Sequence, residues 1–274
     1  VAGSKNLKAV AVRGTRRIPI EDEEKVAELR KRFIKIAKEE RGPYWEYFTK
    51  YGTSGSTEML SLTGDSPCKN WTGTGSIDFP NAANISGDNV IKYQTRKYAC
   101  HGCPMACGGH VRVETGPYMF EGMKPEYETL AAFGTLCLND NLESIIYANY
   151  VCNRYGLDTI STGSTIAFAI ECYENGLITK EETGGVELTW GNAEAIVKMT
   201  EKLARREGFG AILADGVKVA AEKIGRGVEK FALHVSGQEL PMHDPKLIPA
   251  YGNAYVVDAT PGRHTQGYSI YLDR

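Results

Sequence analysis

Three cysteines lie close together in the stretch YACHGCPMACGG, where Cys100, Cys103 and Cys107 form a Cys-x2-Cys-x3-Cys array. Thiolates are soft ligands, and at this density they favour an iron–sulfur cluster or a zinc ion. Gly and Pro residues interrupt the array and allow the tight turns that three thiols need in order to converge on one centre. The loop therefore predicts a metal centre.

The spacing leaves two kinds of metal centre open. A structural zinc site usually has two Cys-x2-Cys pairs, or one such pair matched by two histidines. Here no second pair follows, although His101 and His110 could complete a zinc shell. A [4Fe–4S] cluster, which we favour, would need a fourth thiolate from outside the loop.

The other four cysteines have less informative surroundings. Cys137, Cys152 and Cys172 lie in apolar, helix-like stretches and are predicted to be buried small hydrophobes. Cys68 lies in the loop-like sequence DSPCKNW, which does not assign it a role.

Two further stretches carry residues suited to acid–base chemistry. Glu126 and Glu128 flank Tyr127 at the start of an apolar helix, and His264 lies in the non-helical sequence PGRHTQG. Glutamates in a first helical turn usually face solvent, and a single loop histidine usually has no function. Glu and His could act together as an acid–base pair near a redox centre, but their spacing does not show whether they meet.

A helix–Gly–helix junction occurs in NRYGLDTIS, residues 153–161. One predicted helix ends at Gly156, and the next begins after Asp158, which is a typical N-cap. The carboxylate could instead bind the donor groups of a ligand such as a pterin ring.

The composition is that of an ordinary globular protein. The chain has 274 residues, 42% hydrophobic content and a net charge of −2, which gives no reason to expect a nucleic-acid or membrane partner. We find no signal peptide and no apolar run of about 20 residues. Seven cysteines with a tight array favour a reducing cytoplasm over a disulfide framework. Because the chain begins with Val1, we expect a fragment.

The periodicity predicts a mainly helical protein with little strand. Residues 7–13 and 231–237 resemble strands, a helix is expected over 22–40 with a stop at Gly42-Pro43, and residues 51–92 resemble a long ordered loop. Five further helices are predicted, the first with Pro125 at its N1 position and an apolar run over 130–138. The other four are expected over 142–155, 158–175, 192–207 and 211–224.

These segments, in this order, resemble the tungsten-containing aldehyde ferredoxin oxidoreductase family over nearly the whole chain. GSKNLKAVAV (residues 3–12) is similar to the end of the family's N-terminal pterin-binding domain, and YACHGCPMAC is similar to its cluster loop. NRYGLD is similar to its first pterin-binding motif, which carries over to Asn153, Leu157 and Asp158.

The family's active-site residues carry over to two positions of the apolar helix and the C-terminal turn. Its glutamate matches Glu128 best, with Glu126 as the alternative, and its histidine matches His264. The resemblance implies helical domains of the aldehyde ferredoxin oxidoreductase type. Residues 1–18 would close the pterin-binding domain, 19–232 would form a helical domain, and 233–274 would begin a third domain.

The resemblance also implies the cofactors and the reaction. Tungsten, or molybdenum, would be held by two pterins, and the three loop cysteines would hold a [4Fe–4S] cluster whose fourth thiolate lies beyond Arg274. A small aldehyde would be oxidised to a carboxylic acid, with ferredoxin as electron acceptor. Glu128 would activate water or relay a proton, and His264 would polarise the substrate oxygen. A homodimer is left open, and the isolated chain is expected to be inactive.

Two other functions stay open. The turn Pro-Gly-Arg-His-Thr-Gln (residues 261–266) differs from the family's usual serine- and arginine-rich turn, which keeps open a related tungsten enzyme of low-potential aromatic-ring thioester reduction. The other is a non-catalytic iron–sulfur or zinc-binding helical module. A self-sufficient electron carrier would need a complete ligand set, which the sequence does not provide.

Overall fold

The computed structural model describes residues 5–7 and 9–264. The chain divides into two compact units, residues 1–45 and residues 46–274, which are described separately. Parts of two sequence features lie outside the described residues: positions 3, 4 and 8 of the GSKNLKAVAV stretch, and positions 265 and 266 of the C-terminal turn. The three predicted domains stay a prediction.

The described residues are mainly helical with little strand, as predicted. Their α-helices are α1 (Glu23–Tyr51), α2 (Thr57–Thr63), α3 (Gly75–Asp78), α4 (Gly87–Val90), α5 (Tyr127–Phe133), α6 (Leu142–Tyr155), α7 (Thr159–Glu174), α8 (Ala193–Arg205), α9 (Phe209–Leu213), α10 (Val217–Ile224) and α11 (Pro249–Val257). Their strands are β1 (Gln94–Tyr98), β2 (Gly108–Val113), β3 (Phe120–Met123), β4 (His234–Val235) and β5 (Gln238–Glu239). None of these helices has the length and apolar composition needed to cross a membrane.

The N-terminal predictions are partly wrong. The described residues of segment 7–13 form no strand. The helix predicted over 22–40 is confirmed, because α1 consists of two helices that meet at a kink at Arg41, where φ is −127° and ψ is 26°. The first helix therefore ends beside the predicted stop at Gly42-Pro43, and a second helix, which was not predicted, continues to Tyr51 with Pro43 in its first turn.

Residues 51–92 form short helical turns instead of the predicted long loop. Helices α2, α3 and α4 alternate with 3₁₀ turns at Gly52–Ser56, Ala82–Ile85 and Ile91–Tyr93. Buried hydroxyls satisfy backbone carbonyls here, as where Ser61 donates to the carbonyl of Thr57 over 2.8 Å. A Cβ on Gly75 would lie 1.9 Å from the carbonyl oxygen of Ser61, so only glycine allows α3 to approach α2 this closely. This region holds Asp65 in a buried position.

A three-stranded antiparallel sheet, ordered β1-β2-β3, carries the cysteine loop in the connection between β1 and β2. The sequence analysis did not predict these strands. Glycines let the strands close beside the loop: a Cβ on Gly108 would lie 2.4 Å from the ring of Tyr98, and one on Gly109 would lie 2.4 Å from Oε1 of Gln94.

The central core is helical, and the predicted N-cap at Asp158 and helix end at Gly156 are confirmed. Fully buried apolar side chains of α5, α6 and α7 belong to one core: Leu130, Phe133, Ile145, Ile166, Phe168 and Ile170. Asp158 and Asn192 cap α7 and α8 through hydrogen bonds to the amides of Ser161 and Ala195. Gly156 ends α6 with a φ of +73°. Pro125 does not lie at N1, because Glu126 is the N-cap of α5.

The C-terminal part differs from the predicted pattern. The single helix expected over 211–224 is divided into α9 and α10. Gly216 has a φ of +88°, and the backbone N–H of the next residue, Val217, donates to the carboxylate of Glu239. The strand predicted over 231–237 shrinks to β4, which pairs with β5. Helix α11 was not predicted, yet Tyr251 and Tyr255 of α11 are buried and lie beside the candidate site.

Candidate functional site

Glu128 lies in the first turn of α5, where the fold turns its carboxyl group toward the segment 242–243. Its Oε2 accepts a hydrogen bond from the backbone N–H of Met242 over 2.8 Å. The preceding side chain, Tyr127, donates its hydroxyl to the carbonyl of Met242. These two contacts fix the start of α5 against a segment that lies more than 110 residues later in the chain.

The second carboxylate oxygen of Glu128 faces two histidines. Nε2 of His243 lies 3.4 Å from Oε1, and Nε2 of His264 lies 3.5 Å from it. The ring centroids of the two histidines are 4.9 Å apart. Oε1 is buried, and among the described residues it has no hydrogen-bond partner. The structure therefore brings the predicted pair Glu128 and His264 together around one oxygen atom.

Burial is the main influence on the titration of this site. It raises the pKa of Glu128, an effect opposed by His243 and by the N–H of Met242 and reinforced by Asp158 and Asp65. Burial also lowers the pKa of His264 to about 4, with further contributions from His243 and Arg263. His264 is therefore neutral near pH 7, and its Nδ1 is buried without a hydrogen-bond partner among the described residues.

Glu126 lies in a different environment from Glu128. Its Oε2 accepts hydrogen bonds from the backbone N–H and the hydroxyl of Thr53, over 3.0 and 2.6 Å. Its Oε1 lies 3.7 Å from Nζ of Lys124, and its side chain is 43% exposed. Glu126 thus joins the start of α5 to the 3₁₀ turn after α1, whereas Glu128 faces the histidines.

The three loop cysteines remain accessible on the hairpin. Cys100 and Cys103 are exposed, Cys107 is partly buried, and none of the three is in a disulfide. The turn is closed by a hydrogen bond from the N–H of Cys103 to the carbonyl of Cys100 over 3.0 Å, with positive φ values at Gly102 and Ala106. Three free thiols on one tight turn are a donor set that fits an iron–sulfur cluster.

Lys124 connects this loop to the start of α5. Its Nζ donates to the carbonyl of Cys107 over 3.1 Å and also to the carbonyl of Tyr51. Its side chain is fully buried, and burial lowers its pKa. A Cβ on Gly52 would lie 2.7 Å from Nζ, so the lysine is closely enclosed.

Among the described residues, the other four cysteines and the two zinc candidates His101 and His110 form no metal-ligand group with the loop cysteines. Burial raises the pKa of Cys68, Cys152 and Cys172 to about 12 and that of Cys137 still further. Such thiols stay protonated and behave as small apolar side chains, as predicted for the three helical ones. Of the two zinc candidates, His101 is exposed in the loop, and His110 lies in β2 with its ring 5.5 Å from that of Tyr98.

The predicted pterin-binding residues lie at the junction of α6 and α7. Asn153 and Asp158 are exposed, and Leu157 is partly buried against the core. Oδ2 of Asp158 accepts from the N–H of Ser161 over 2.8 Å, so the cap is formed. A hydrogen bond of 2.9 Å between the hydroxyls of Thr129 and Thr159 joins the first turns of α5 and α7. Asp158 thus lies on the same side of the helical core as Glu128.

Asp65 and His243 are the site residues that the sequence analysis missed. Nδ1 of His243 lies 2.8 Å from Oδ1 of the buried Asp65, and the two residues are 178 positions apart. Asp65 follows a short helix in a stretch that looked like a loop, and His243 lies in the sequence MHDP, at the start of a stretch rich in Gly, Pro and polar residues. The local sequence offered a histidine beside an acidic residue, His243-Asp244, and such a pair usually has no functional role.

The chain is similar to known proteins over nearly its whole length. Residues 28–274 match the family model described as aldehyde ferredoxin oxidoreductase, domains 2 & 3. The tungsten-containing aldehyde ferredoxin oxidoreductases of Pyrococcus furiosus and Pyrococcus horikoshii are each 40% identical to the chain. Both alignments cover 98% of the chain and 44% of the relative, so the chain spans less than half the length of these relatives.

A solved structure shares the fold. The active-site complex BamBC of benzoyl coenzyme A reductase, in complex with 1,5-dienoyl-CoA, superposes with a TM-score of 0.60 at 22% identity. The match covers 76% of this chain and 31% of that one. On the family model and the two Pyrococcus relatives, the chain belongs to the aldehyde ferredoxin oxidoreductase family of oxidoreductases.

Proposed function

We propose that the chain is the cluster-binding and acid–base part of a tungstopterin enzyme that oxidises small aldehydes to carboxylic acids and passes the electrons to ferredoxin. The observation that carries the proposal is the buried Oε1 of Glu128, which lies 3.4 and 3.5 Å from two imidazole nitrogens and has no hydrogen-bond partner among the described residues. Buried carboxyl groups with a raised pKa are suited to proton transfer near neutral pH. The family supplies the redox cofactors that this chemistry needs.

The residues present fit these cofactors. Cys100, Cys103 and Cys107 would hold a [4Fe–4S] cluster together with a fourth thiolate, and Asn153 and Asp158 would contact a pterin. When bound, a tungsten–bispterin centre supplies a two-electron acceptor, and the cluster carries electrons onward singly. The protein's contribution is to bind the substrate and to move protons beside that centre.

The acid–base roles follow from the environments of the two predicted residues. Oε2 of Glu128 is already bonded to Met242, so Oε1 is the atom that takes a proton from water as it attacks the aldehyde. His264 is neutral near pH 7, because its pKa is lowered to about 4. A neutral imidazole N–H can donate a hydrogen bond to the aldehyde oxygen without adding a buried charge.

The experiment is metal analysis and aldehyde-dependent reduction of ferredoxin by protein made anaerobically from the full coding sequence. We expect tungsten and iron in the protein. Serine at Cys100, Cys103 or Cys107 should lower the iron content, whereas Cys172→Ala, at a buried thiol, should not. Zinc without tungsten or iron would reject the proposal and favour a non-catalytic module. Reduction of an aromatic-ring thioester without aldehyde oxidation would reject the aldehyde substrate.

The two glutamates give a matched pair for the acid–base role. Glu128→Gln should lower kcat by at least about 100-fold, the usual contribution of a general base. Glu126→Gln keeps an oxygen that can accept from Thr53 and should retain most of the activity. The opposite result would assign the active-site role to Glu126.

A further inference from the structure

We propose that Asp65 and His243 are positioning residues for Glu128: Asp65 holds the His243 imidazole so that its Nε2 receives the proton that Glu128 takes up. This inference rests on the proposed function for the identity of the reaction. Its own content is the exchange of one proton between Glu128 and His243. The Oε1–H bond of Glu128 breaks, an Nε2–H bond of His243 forms, and no electron moves.

The hydrogen bond to Asp65 determines which ring nitrogen faces Glu128. Nδ1 of His243 lies 2.8 Å from Oδ1 of Asp65, and because a carboxylate oxygen can only accept a hydrogen bond, Nδ1 carries the proton of the neutral ring. The unprotonated Nε2 then faces Oε1 of Glu128 at 3.4 Å. In this tautomer the ring can accept a proton from Glu128. The Asp65 carboxylate then stabilises the imidazolium ion, because its side chain is buried with only 3% exposed.

Contacts from two helices, α5 and α11, fix the imidazole between Asp65 and Glu128. The ring stacks on Tyr251 of α11 at 5.0 Å between centroids, and the ring of Tyr127 of α5 lies 5.2 Å away. The hydroxyl of Tyr255 donates to the carbonyl of His243 over 2.6 Å. Two ring contacts and a hydrogen bond to its backbone thus hold the imidazole with Nε2 near Glu128.

The two histidines beside Glu128 differ in the charges near them. Arg263 and His243 disfavour protonation of His264, whereas His243 is the histidine bonded to a carboxylate. The proton therefore goes to His243, and His264 stays neutral for the substrate. Pairs of titratable groups in contrasting environments are typical of acid–base assignments.

Other charged and titratable groups near Glu128 and His243 also influence the pH dependence of the proton exchange. Asp65 lies after α2, Tyr127 and Glu128 lie in α5, and Asp158 caps α7. Tyr251 and Tyr255 lie in α11, and Asp244, Arg263 and His264 lie in the C-terminal segments. Asp244 is paired with Lys246 at 3.2 Å, which leaves Asp65 as the carboxylate bonded to the His243 ring.

The test follows the carboxyl stretching band of protonated Glu128 by infrared difference spectroscopy as a function of pH. The holoprotein from the full coding sequence is used, and the band is assigned by its loss in Glu128→Gln. Removing the imidazole in His243→Gln should keep Glu128 protonated to a pH about one unit higher, a tenfold rise in proton affinity. His234→Gln, at a histidine of β4, is the matched control and should leave the band unchanged.

The sign of the effect of Asp65→Asn is decisive. This variant keeps an oxygen acceptor of the same shape and removes only the charge. If Asp65 acts through His243, the imidazolium becomes less stable, and Glu128 should hold its proton to higher pH. If Asp65 acts on Glu128 directly, removal of its negative charge should move the band to lower pH. An upward shift that disappears in the His243→Gln background supports the inference, and a downward or absent shift overturns it.

Kinetics and metal binding complete the test. In His243→Gln and in Asp65→Asn, the acid limb of the plot of kcat against pH should move to higher pH, and kcat should change more than KM. If the wild type oxidises no aldehyde, the proposed reaction fails, but the infrared result still decides the proton exchange. Stoichiometric Zn²⁺ binding that is lost in His243→Gln, with no band shift in Asp65→Asn, would overturn the inference. It would show that Glu128, His243 and His264 form a metal site.

Discussion

Substitutions at Asp158 can separate its role as a helix cap from its proposed role in binding a pterin. Oδ2 of Asp158 accepts from the N–H of Ser161 over 2.8 Å at the start of α7. Asp158→Asn keeps an oxygen that can make this bond and removes the charge, whereas Asp158→Ala removes both. A lost N-cap costs about 1 kcal/mol, which is about a fivefold increase in local opening of the first turn.

The assay is hydrogen–deuterium exchange of peptides from the first turn of α7, together with the pterin content of the holoprotein. Asn192 provides a matched cap, because it accepts from the N–H of Ala195 over 3.1 Å at the start of α8. Asp158→Ala should increase exchange about fivefold and lower the pterin content. Asp158→Asn should lower the pterin content alone, and Asn192→Ala should increase exchange in α8 alone.

Full pterin content in Asp158→Asn would refute this reasoning. Asp158 would then be a structural cap, and the resemblance of NRYGLD to a pterin-binding motif would reflect only the helix junction. Loss of pterin in Asn192→Ala would also count against it, because it would show that any weakened helix end lowers cofactor content.

Two further predictions concern stability. The pKa of His264 is lowered to about 4 from an ordinary value of 6.5, so the unfolded chain binds this proton more tightly, and Tm should fall as the pH drops from about 6.5 to about 4. His264→Gln should flatten that part of the Tm curve, and an unchanged slope would contradict the assignment. A Cβ on Gly163 would lie 2.6 Å from the carbonyl oxygen of Ala132, so Gly163→Ala should destabilise the protein by about 1–3 kcal/mol in denaturant unfolding. Gly42→Ala, where a Cβ would meet no heavy atom within 4 Å, is the control and should show no such loss.

Features with a local cause could be predicted from the sequence. The cap at Asp158 and the end of α6 at Gly156 depend on hydrogen bonds and dihedral angles within a few residues. The apolar period likewise predicted the helical core. The prediction failed where tertiary contacts decide, as at Gly216, where the helix expected over 211–224 divides into α9 and α10 and the N–H of Val217 donates to Glu239.

Strand pairing was missed for a similar reason. β1 is mostly exposed and polar, and β3 has only four residues, so neither has the alternating pattern of a half-buried strand. The pairing of β1 with β2 depends on the close approach allowed by Gly108 and Gly109, which no local period shows. The same limit applies to the site: Glu128 and His264 could be selected from the sequence, but Asp65 and His243 meet only in the folded chain.

The segment from Lys124 to Glu128 joins the cysteine loop to the candidate acid–base site. A buried ammonium group is costly unless it is bonded, and Lys124 is bonded to the carbonyls of Tyr51 and Cys107 at one end of this segment. At the other end, Glu128 is bonded to Met242. Three residues separate Lys124 from Glu128, so hydrogen bonds anchor both ends of a short stretch of backbone, one end to Cys107 of the loop and the other to Met242. The cost of burying Lys124 is therefore consistent with a need to hold the thiols and the carboxyl group at a fixed separation.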